Sequence, residues 1–413
     1  MKKVIGFFVF LFAITPAFAD DKDAGFVPMF NGKDLTGWVN VNCHPDTFFV
    51  KDGMVITTGK PTGYLRTEKQ YENFIADFEW MHIPPKSGAV GNSGFFVWAD
   101  PIPAVGTGYT RGIEVQVLVN LTYKNKKGEI TATSQGDLFS IWGATCVPDR
   151  PHPEGWARCL PNGDFCKGEG EWNHYRVEAN DGRITLEVNG HVVSGLSKCN
   201  PRKGYLALES EGSECRFRNL KIKELSSTNP KPEEIADVDK GFKNLYFGDL
   251  TGWRADDDTK QHWQPKDWML HYDGQARRRG DTLITENVFG DAEFLVDFRF
   301  PKEAGVVAEG FIALRQNENG AIFSAVTPNA INIGFQKDGS TTIKPRKRPQ
   351  GLKGDGWNRL RATLKGNVLQ LNVNGENAGE AEIPEIGTTG AFKLRGIREM
   401  DYANIFVRGL SGK

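Results

Sequence analysis

Cysteine is missing from residues 216–413 of this 413-residue chain: Cys43, Cys146, Cys159, Cys166, Cys199 and Cys215 all come earlier. No two of them have Cys-x-x-Cys spacing, which removes the commonest zinc-site pattern. An excess of either charge is also lacking. With 51 Lys+Arg against 52 Asp+Glu, the net charge is −1 and gives no global attraction to nucleic acid or anionic lipid. Arg277-Arg-Arg279 and Arg346-Lys-Arg348 are short basic runs that read as solvated faces. Long helical periodicity is absent, and after the N-terminus no apolar run is long enough to span a bilayer. There is no Gly-x-Ser-x-Gly elbow, no His-Glu-x-x-His and no glycine-rich phosphate loop.

Glycine is abundant, with 47 residues, and aromatics reach 11%; many turns and flat apolar side chains favour β structure. The N-terminus reads as a secretion signal. Lys2 and Lys3 precede the apolar run Val4 to Ile14, Pro16 breaks it, and Ala17-Phe18-Ala19 offers a cleavage site. The expectation is a secreted or periplasmic protein with a signal peptide over residues 1–19. Six cysteines in an oxidising compartment then favour disulfides, with fifteen possible pairings. Loop length suggests Cys199 with Cys215, and one pair among Cys146, Cys159 and Cys166.

The chain repeats itself. Phe30-Asn-Gly-Lys-Asp-Leu-Thr-Gly-Trp38 recurs as Leu245-Tyr-Phe-Gly-Asp-Leu-Thr-Gly-Trp253, and Phe74-Ile-Ala-Asp-Phe78 as Phe294-Leu-Val-Asp-Phe298. Trp172-Asn173 matches Trp357-Asn358, Val188-Asn-Gly190 matches Val373-Asn-Gly375, and Asn219-Leu220 matches Asn404-Ile405. The offset falls from 220 to 185, so the second copy has lost about thirty residues in its middle. A period near 200 is a domain duplication. The expected domains are 24–225 and 240–410, joined by the proline-bearing spacer 226–239.

Within each copy the signals are strands. In Arg183-Ile-Thr-Leu-Glu-Val-Asn-Gly190, Ile184, Leu186 and Val188 share one face, and an Asn-Gly turn follows. Short strands with glycine-rich turns predict an all-β sandwich or jelly roll in which one sheet presents a polar face. In Arg111-Gly-Ile-Glu-Val-Gln-Val-Leu118 the alternation puts Ile113, Val115 and Val117 in the core, and Glu114 and Gln116 on the opposite face. A carboxylate beside an amide, with Arg111 at the strand entrance, is a sugar-contacting set. Asn92 and Trp98 come from the neighbouring candidate strand, and Glu79 is a further candidate carboxylate. Between Val119 and Glu171 lies a long insertion holding Trp142, His152, Trp156, Arg158 and three cysteines. It reads either as a disulfide-pinned flap or as a loop walling an active site.

Phe30–Trp38, Asn92-Ser-Gly94, Glu114-Val-Gln116, Glu171-Trp-Asn173, Asn189-Gly190 and Phe217-Arg-Asn-Leu220, in this order, resemble the 3-keto-disaccharide hydrolase family. The resemblance implies tandem concanavalin A-like or laminin-G-like jelly-roll β-sandwiches, and an activity on 3-keto-glycosides. A ketone at sugar C3 acidifies the C2 hydrogen, so a base can remove it, the C1 substituent leaves, and water adds back. Glu114 is the expected base and His152 the expected proton donor. Arg111 or a divalent metal ion would steady the enolate. Glu79, Asn92, Trp98, Gln116 and Trp142 would contact the sugar. In the second copy Glu114 aligns with Gly334 and Gln116 with Gln336, so that copy reads as non-catalytic. The implied partner is a carbohydrate, with no nucleic acid and no membrane span. The alternative function is lectin-like glycan binding, and a third is a scaffold.

Overall fold

The computed structural model describes residues 24–122, 124–130, 133–276, 278–300 and 308–410. The expected signal peptide lies outside the described residues. Two β-sandwiches follow one another, each made of two antiparallel sheets closed on its own apolar core. The first has a nine-stranded back sheet and a seven-stranded front sheet; the second has an eight-stranded back sheet and a seven-stranded front sheet. The fold is the tandem jelly-roll sandwich that the strand pattern predicts. No helix among the described residues is long and apolar enough to cross a membrane.

The repeated motifs are framework. Trp38 and Trp253 are buried, and each indole N–H donates to the carbonyl that opens its own copy, Met29 at 3.0 Å and Leu245 at 2.7 Å. Asn189 and Asn374 both turn through positive φ, and each accepts at 2.8 Å from the backbone N–H of a neighbouring strand, at His174 and Arg359. Asp181 and Gly182, also at positive φ, make the tight turn between strands Asn173–Asn180 and Arg183–Val188.

In the first domain the front-sheet strands are β1 (Trp38–Val41), β2 (Gly63–Thr67), β3 (Gly91–Ala99), β4 (Gly112–Val119), β5 (Leu138–Ile141), β6 (Arg158–Cys159) and β7 (Tyr205–Ser210). They lie in the order β6-β5-β4-β3-β7-β2-β1. Ile113, Val115 and Val117 enter the core, so Glu114 and Gln116 project from the outer, front face.

The two domains are clamped together. Leu295 and Phe406, from the back sheet of the second domain, pack on Val41, Tyr64, Phe96, Tyr205 and Ala207 of the first domain's front face. Around this patch Asp267 accepts from the Thr62 N–H and hydroxyl, both at 2.6 Å. Asp297 accepts from the Gly106 N–H at 2.8 Å, and Arg359 donates to the Pro103 carbonyl at 2.8 Å. Asn404 donates to the carbonyls of Ala104 and Thr107. The connecting segment is also pinned, contrary to a free spacer: Gln70 donates to the Ala236 and Asp237 carbonyls, and Arg66 pairs with Asp239 at 2.6 Å.

All six cysteines are free thiols, so the expected disulfides are absent from the structure. The Cys199–Cys215 pair is ruled out by topology. The strand His191–Asn200 is separated from Glu214–Glu224 by three intervening strands of the back sheet. At about 4.8 Å per strand that is far beyond the reach of a disulfide.

Candidate active site

A continuous cross-strand row runs over the front face of the first domain. Arg158 on β6 faces Phe139 on β5, which faces Glu114 on β4, then Phe96 on β3, Ala207 on β7 and Arg66 on β2. Glu209, two residues along β7 from Ala207, shares this face. A Cβ built on Gly94 would stand 2.9 Å from Glu209 Oε2 and 3.0 Å from Glu114 Oε1. The two carboxylates lean over the residue that has no side chain, within about 6 Å of each other.

Glu211 completes the group. It accepts from Asn92 Nδ2 at 2.5 Å and from the Tyr109 hydroxyl at 2.6 Å. Gln116 holds Asn92 in turn, donating to its Oδ1 at 2.8 Å. Above them the rings of Tyr109 and Trp142 stack, 6.2 Å apart and 8° from parallel, with Trp142 52% exposed. Arg158 lies over the Phe139 ring at 3.7 Å and pairs with buried Asp137 at 3.4 Å.

Burial governs the electrostatics. Glu114 is 6% exposed and Glu209 is sealed. Burial first, then the charge on Glu211, pushes the Glu114 carboxyl well above the usual carboxylate range, while Arg158 pulls it back. Glu209 is raised by burial and by the Glu211 and Glu114 charges; it is the donor toward Glu211, and no N–H or O–H of another neighbour reaches its oxygens. Glu211 is raised by burial, against the hydrogen bond from Tyr109. Burial pushes Asp137 up to about 7 and draws Arg158 down from its ordinary value. Three acids packed this closely hold at least one proton near neutral pH. The site therefore contains a base and an acid side by side.

Of the residues picked from the sequence, the structure brings together Glu114, Gln116, Asn92 and Trp142. The others go elsewhere. Glu79 is on the back sheet, held by Arg218 at 3.0 and 3.1 Å and by Asn219 at 2.5 Å. Burial would raise its carboxyl, but these hydrogen bonds win and lower it. There it lines a separate groove of about 680 Å³ with Asp77 and His174. Trp98 is fully buried in the core and donates to the Glu72 carbonyl, so it offers no stacking surface. Its φ of 55° marks a bulge that reverses the alternation of β3. Arg111 is spent on a two-pronged contact with Asp100, at 2.7 and 2.9 Å. His152 is tucked into the long insertion, stacked on Trp156 at 4.5 Å with Nδ1 accepting from the Glu154 N–H.

Glu209, Glu211, Tyr109 and Arg158 escaped the sequence reading as site residues. The alternation Leu206, Leu208 inward and Ala207, Glu209 outward carried the same signal that exposed Glu114. Among the described residues no group of three His, Cys, Asp or Glu side chains is placed to hold a metal ion, so the divalent cation implied by the resemblance finds no fitting set.

Register also corrects the match between copies. Phe95 pairs with Leu208 and its neighbour Phe96 with Glu114; in the second copy Ile312 pairs with Leu394 and Ala313 with Phe323. Phe323, not Gly334, thus occupies the place of Glu114, with Phe311 at Gly94 and Arg395 at Glu209. Phe311 and Phe323 pack edge to face at 5.4 Å, and the second front face has no acid pair in this position.

A family model described as a 3-keto-alpha-glucoside-1,2-lyase-like domain matches residues 25–223 and again 241–408. No curated protein matches the chain. Among solved structures, a putative glycosyl hydrolase from Parabacteroides distasonis is 23% identical, with a TM-score of 0.37 over 50% of this chain and 96% of that one. A second putative glycosyl hydrolase from the same organism is 20% identical, with a TM-score of 0.34 over 48% and 99%. A carbohydrate-binding module from Bacillus subtilis is 14% identical, with a TM-score of 0.32 over 38% and 96%.

Proposed function

The chain belongs, in both halves, to the 3-keto-alpha-glucoside-1,2-lyase-like domain family, and on that premise we propose that it is an exported carbohydrate-active hydrolase or lyase whose chemistry resides in the first domain. The observation that carries the reading is the Glu114–Glu209 pair, two nearly sealed carboxyls converging over Gly94 with a cation in the same row. Glu114 is the base. Its raised proton affinity makes it a stronger base toward the C2 hydrogen of a 3-keto-glycoside than an ordinary exposed carboxylate. The electron pair released moves to the C3 oxygen, and Arg158 is the electropositive group available to that enolate. The enolate then re-forms the ketone and expels the C1 oxygen substituent, which takes a proton from Glu209. Water adding across C1 and C2 completes a net hydrolysis; without that step the enzyme is a lyase. Trp142 and Tyr109 supply a flat apolar edge for a sugar ring, and Gln116 and Asn92 supply amides for its hydroxyls.

The test is aglycone release from a panel of 3-keto-glucosides. Wild type is expected to release aglycone, and Glu114→Gln to lose at least a hundredfold while still binding. In deuterated water the unreacted substrate should gain deuterium at C2. Absence of release from every member of the panel overturns the proposal.

A second reading rests on the same pair, whose oxygens, within about 6 Å of each other, are closer than the acids of inverting glycosidases. Acids about 5–5.5 Å apart serve retaining glycosidases by double displacement. In that case unoxidised glucosides would turn over, and a 2-fluoro-glucoside would leave a covalent adduct detectable by mass. Turnover that requires the ketone argues for elimination.

A further inference from the structure

The front face around Glu114 is not symmetric. Toward β5 and β6 the front face continues over Phe139 to Arg158 and passes under exposed Trp142. Toward β2 and β1 it is covered, because Leu295 and Phe406 of the second domain sit on Tyr64, Val41 and Ala207. Ala207 lies only two residues from Glu209 on the same face of β7, so the cover begins immediately beside the acid pair. Asp267, fixed by its two bonds from Thr62, stands at this boundary, and its charge reaches Glu211.

An uncovered sheet face lets a polymer lie across all its strands. Here a ligand seated at Glu114 and lying across the strands can extend toward β5 and β6 only. We infer that the second domain is a fixed stop that makes this a terminal-residue site, accepting the end of a glycan and excluding its interior. The second copy has lost the acid pair, and this gives it a role as the wall that sets which sugar unit is read. The inference rests on the proposed function for its ligand class, but the blockade holds whichever bond is cut.

The test is binding by calorimetry to the full chain carrying Glu114→Gln, so that turnover does not intrude. Linear gluco-oligosaccharides of two to six units carrying a 3-keto unit are compared with a cyclic hexamer carrying one, which has no end. The expected result is measurable binding of the linear forms and at least tenfold weaker binding of the ring. Equal binding of ring and linear forms overturns the stop. The variants Leu295→Asp and Phe406→Asp should unseat the second domain, visible as an enlarged radius of gyration, and bring ring and linear affinities within threefold. An unseated protein that still rejects the ring also overturns it. If either variant fails to fold, the ring-against-linear comparison decides alone. Absence of aglycone release by wild type, with end-selectivity intact in Glu114→Gln, would instead count against the chemistry and leave the stop standing.

Discussion

Replacing Glu209 by glutamine should stabilise the protein and disable it. Glu209 is sealed from solvent, with Glu114 within about 6 Å of it and Glu211 alongside. Two unit charges about 6 Å apart repel by about 3 kcal/mol at an effective dielectric constant near 20. The folded protein escapes part of this by keeping a proton on Glu209. That proton costs about 1.4 kcal/mol for each pH unit above the ordinary glutamate value. Because the folded pKa is raised above the unfolded one, the contribution to stability is fully present below the unfolded pKa and is lost as pH rises toward the folded pKa. Glutamine keeps the shape, carries no charge, and can donate its amide to Glu211. At pH 8 the variant is therefore expected to exceed the parent by about 1–3 kcal/mol, and at pH 4 the two should coincide. Urea unfolding of both proteins at pH 4, 6 and 8 reads this directly, and aglycone release from a 3-keto-glucoside should fall at least tenfold. A stability difference that does not change with pH would refute the reasoning, as would a variant less stable than the parent at pH 8.

Gly94→Ala puts a methyl group between the carboxyls, where its nearest neighbours are at 2.9 and 3.0 Å; it should cost about 1–3 kcal/mol and abolish turnover, read by thermal melting and product release. Trp142→Ala, at an exposed position, should leave stability within about 0.5 kcal/mol and weaken sugar binding about tenfold by calorimetry. Trp98→Ala should do the reverse: a cavity in the core costs about 3–5 kcal/mol in urea unfolding, and any loss of binding follows from unfolding alone.

Local alternation made half of the site legible. Glu114 and Gln116 could be placed because β4 is regular and its odd positions are unbroken apolar residues. The same rule failed at Trp98, where one residue at positive φ shifts the parity of β3 beyond it. For Glu79, alternation could not say on which of two sheets its strand lies. Arg111 was lost to Asp100, a partner across a loop that no period describes. Arg158 and Tyr109 are brought to the acids by connections whose course depends on the finished fold. Nothing in either copy alone revealed that one lies on the face of the other, because that contact is assembled from Leu295, Phe406 and a loop 190 or more residues away in sequence.

That loop, between β3 and β4, bears on how far the assembly can grow. A contact in which the front of one unit receives the back of the next has no natural end; repeated, it builds a fibre. The first domain still shows the world a back sheet with Asp77 and Asn219 where the second uses Asp297 and Asn404 to grip its neighbour. But the gripping needs a protruding loop from the unit ahead, and where the first copy has Pro103 to Thr107, the second closes strands Gly310–Asn317 and Gly320–Thr327 with a tight turn at Glu318 and Asn319. Among the described residues, the second front face does not repeat the loop that Asp297 and Asn404 grip in the first. Shortening one hairpin in one copy takes away the grip by which the first copy holds the second.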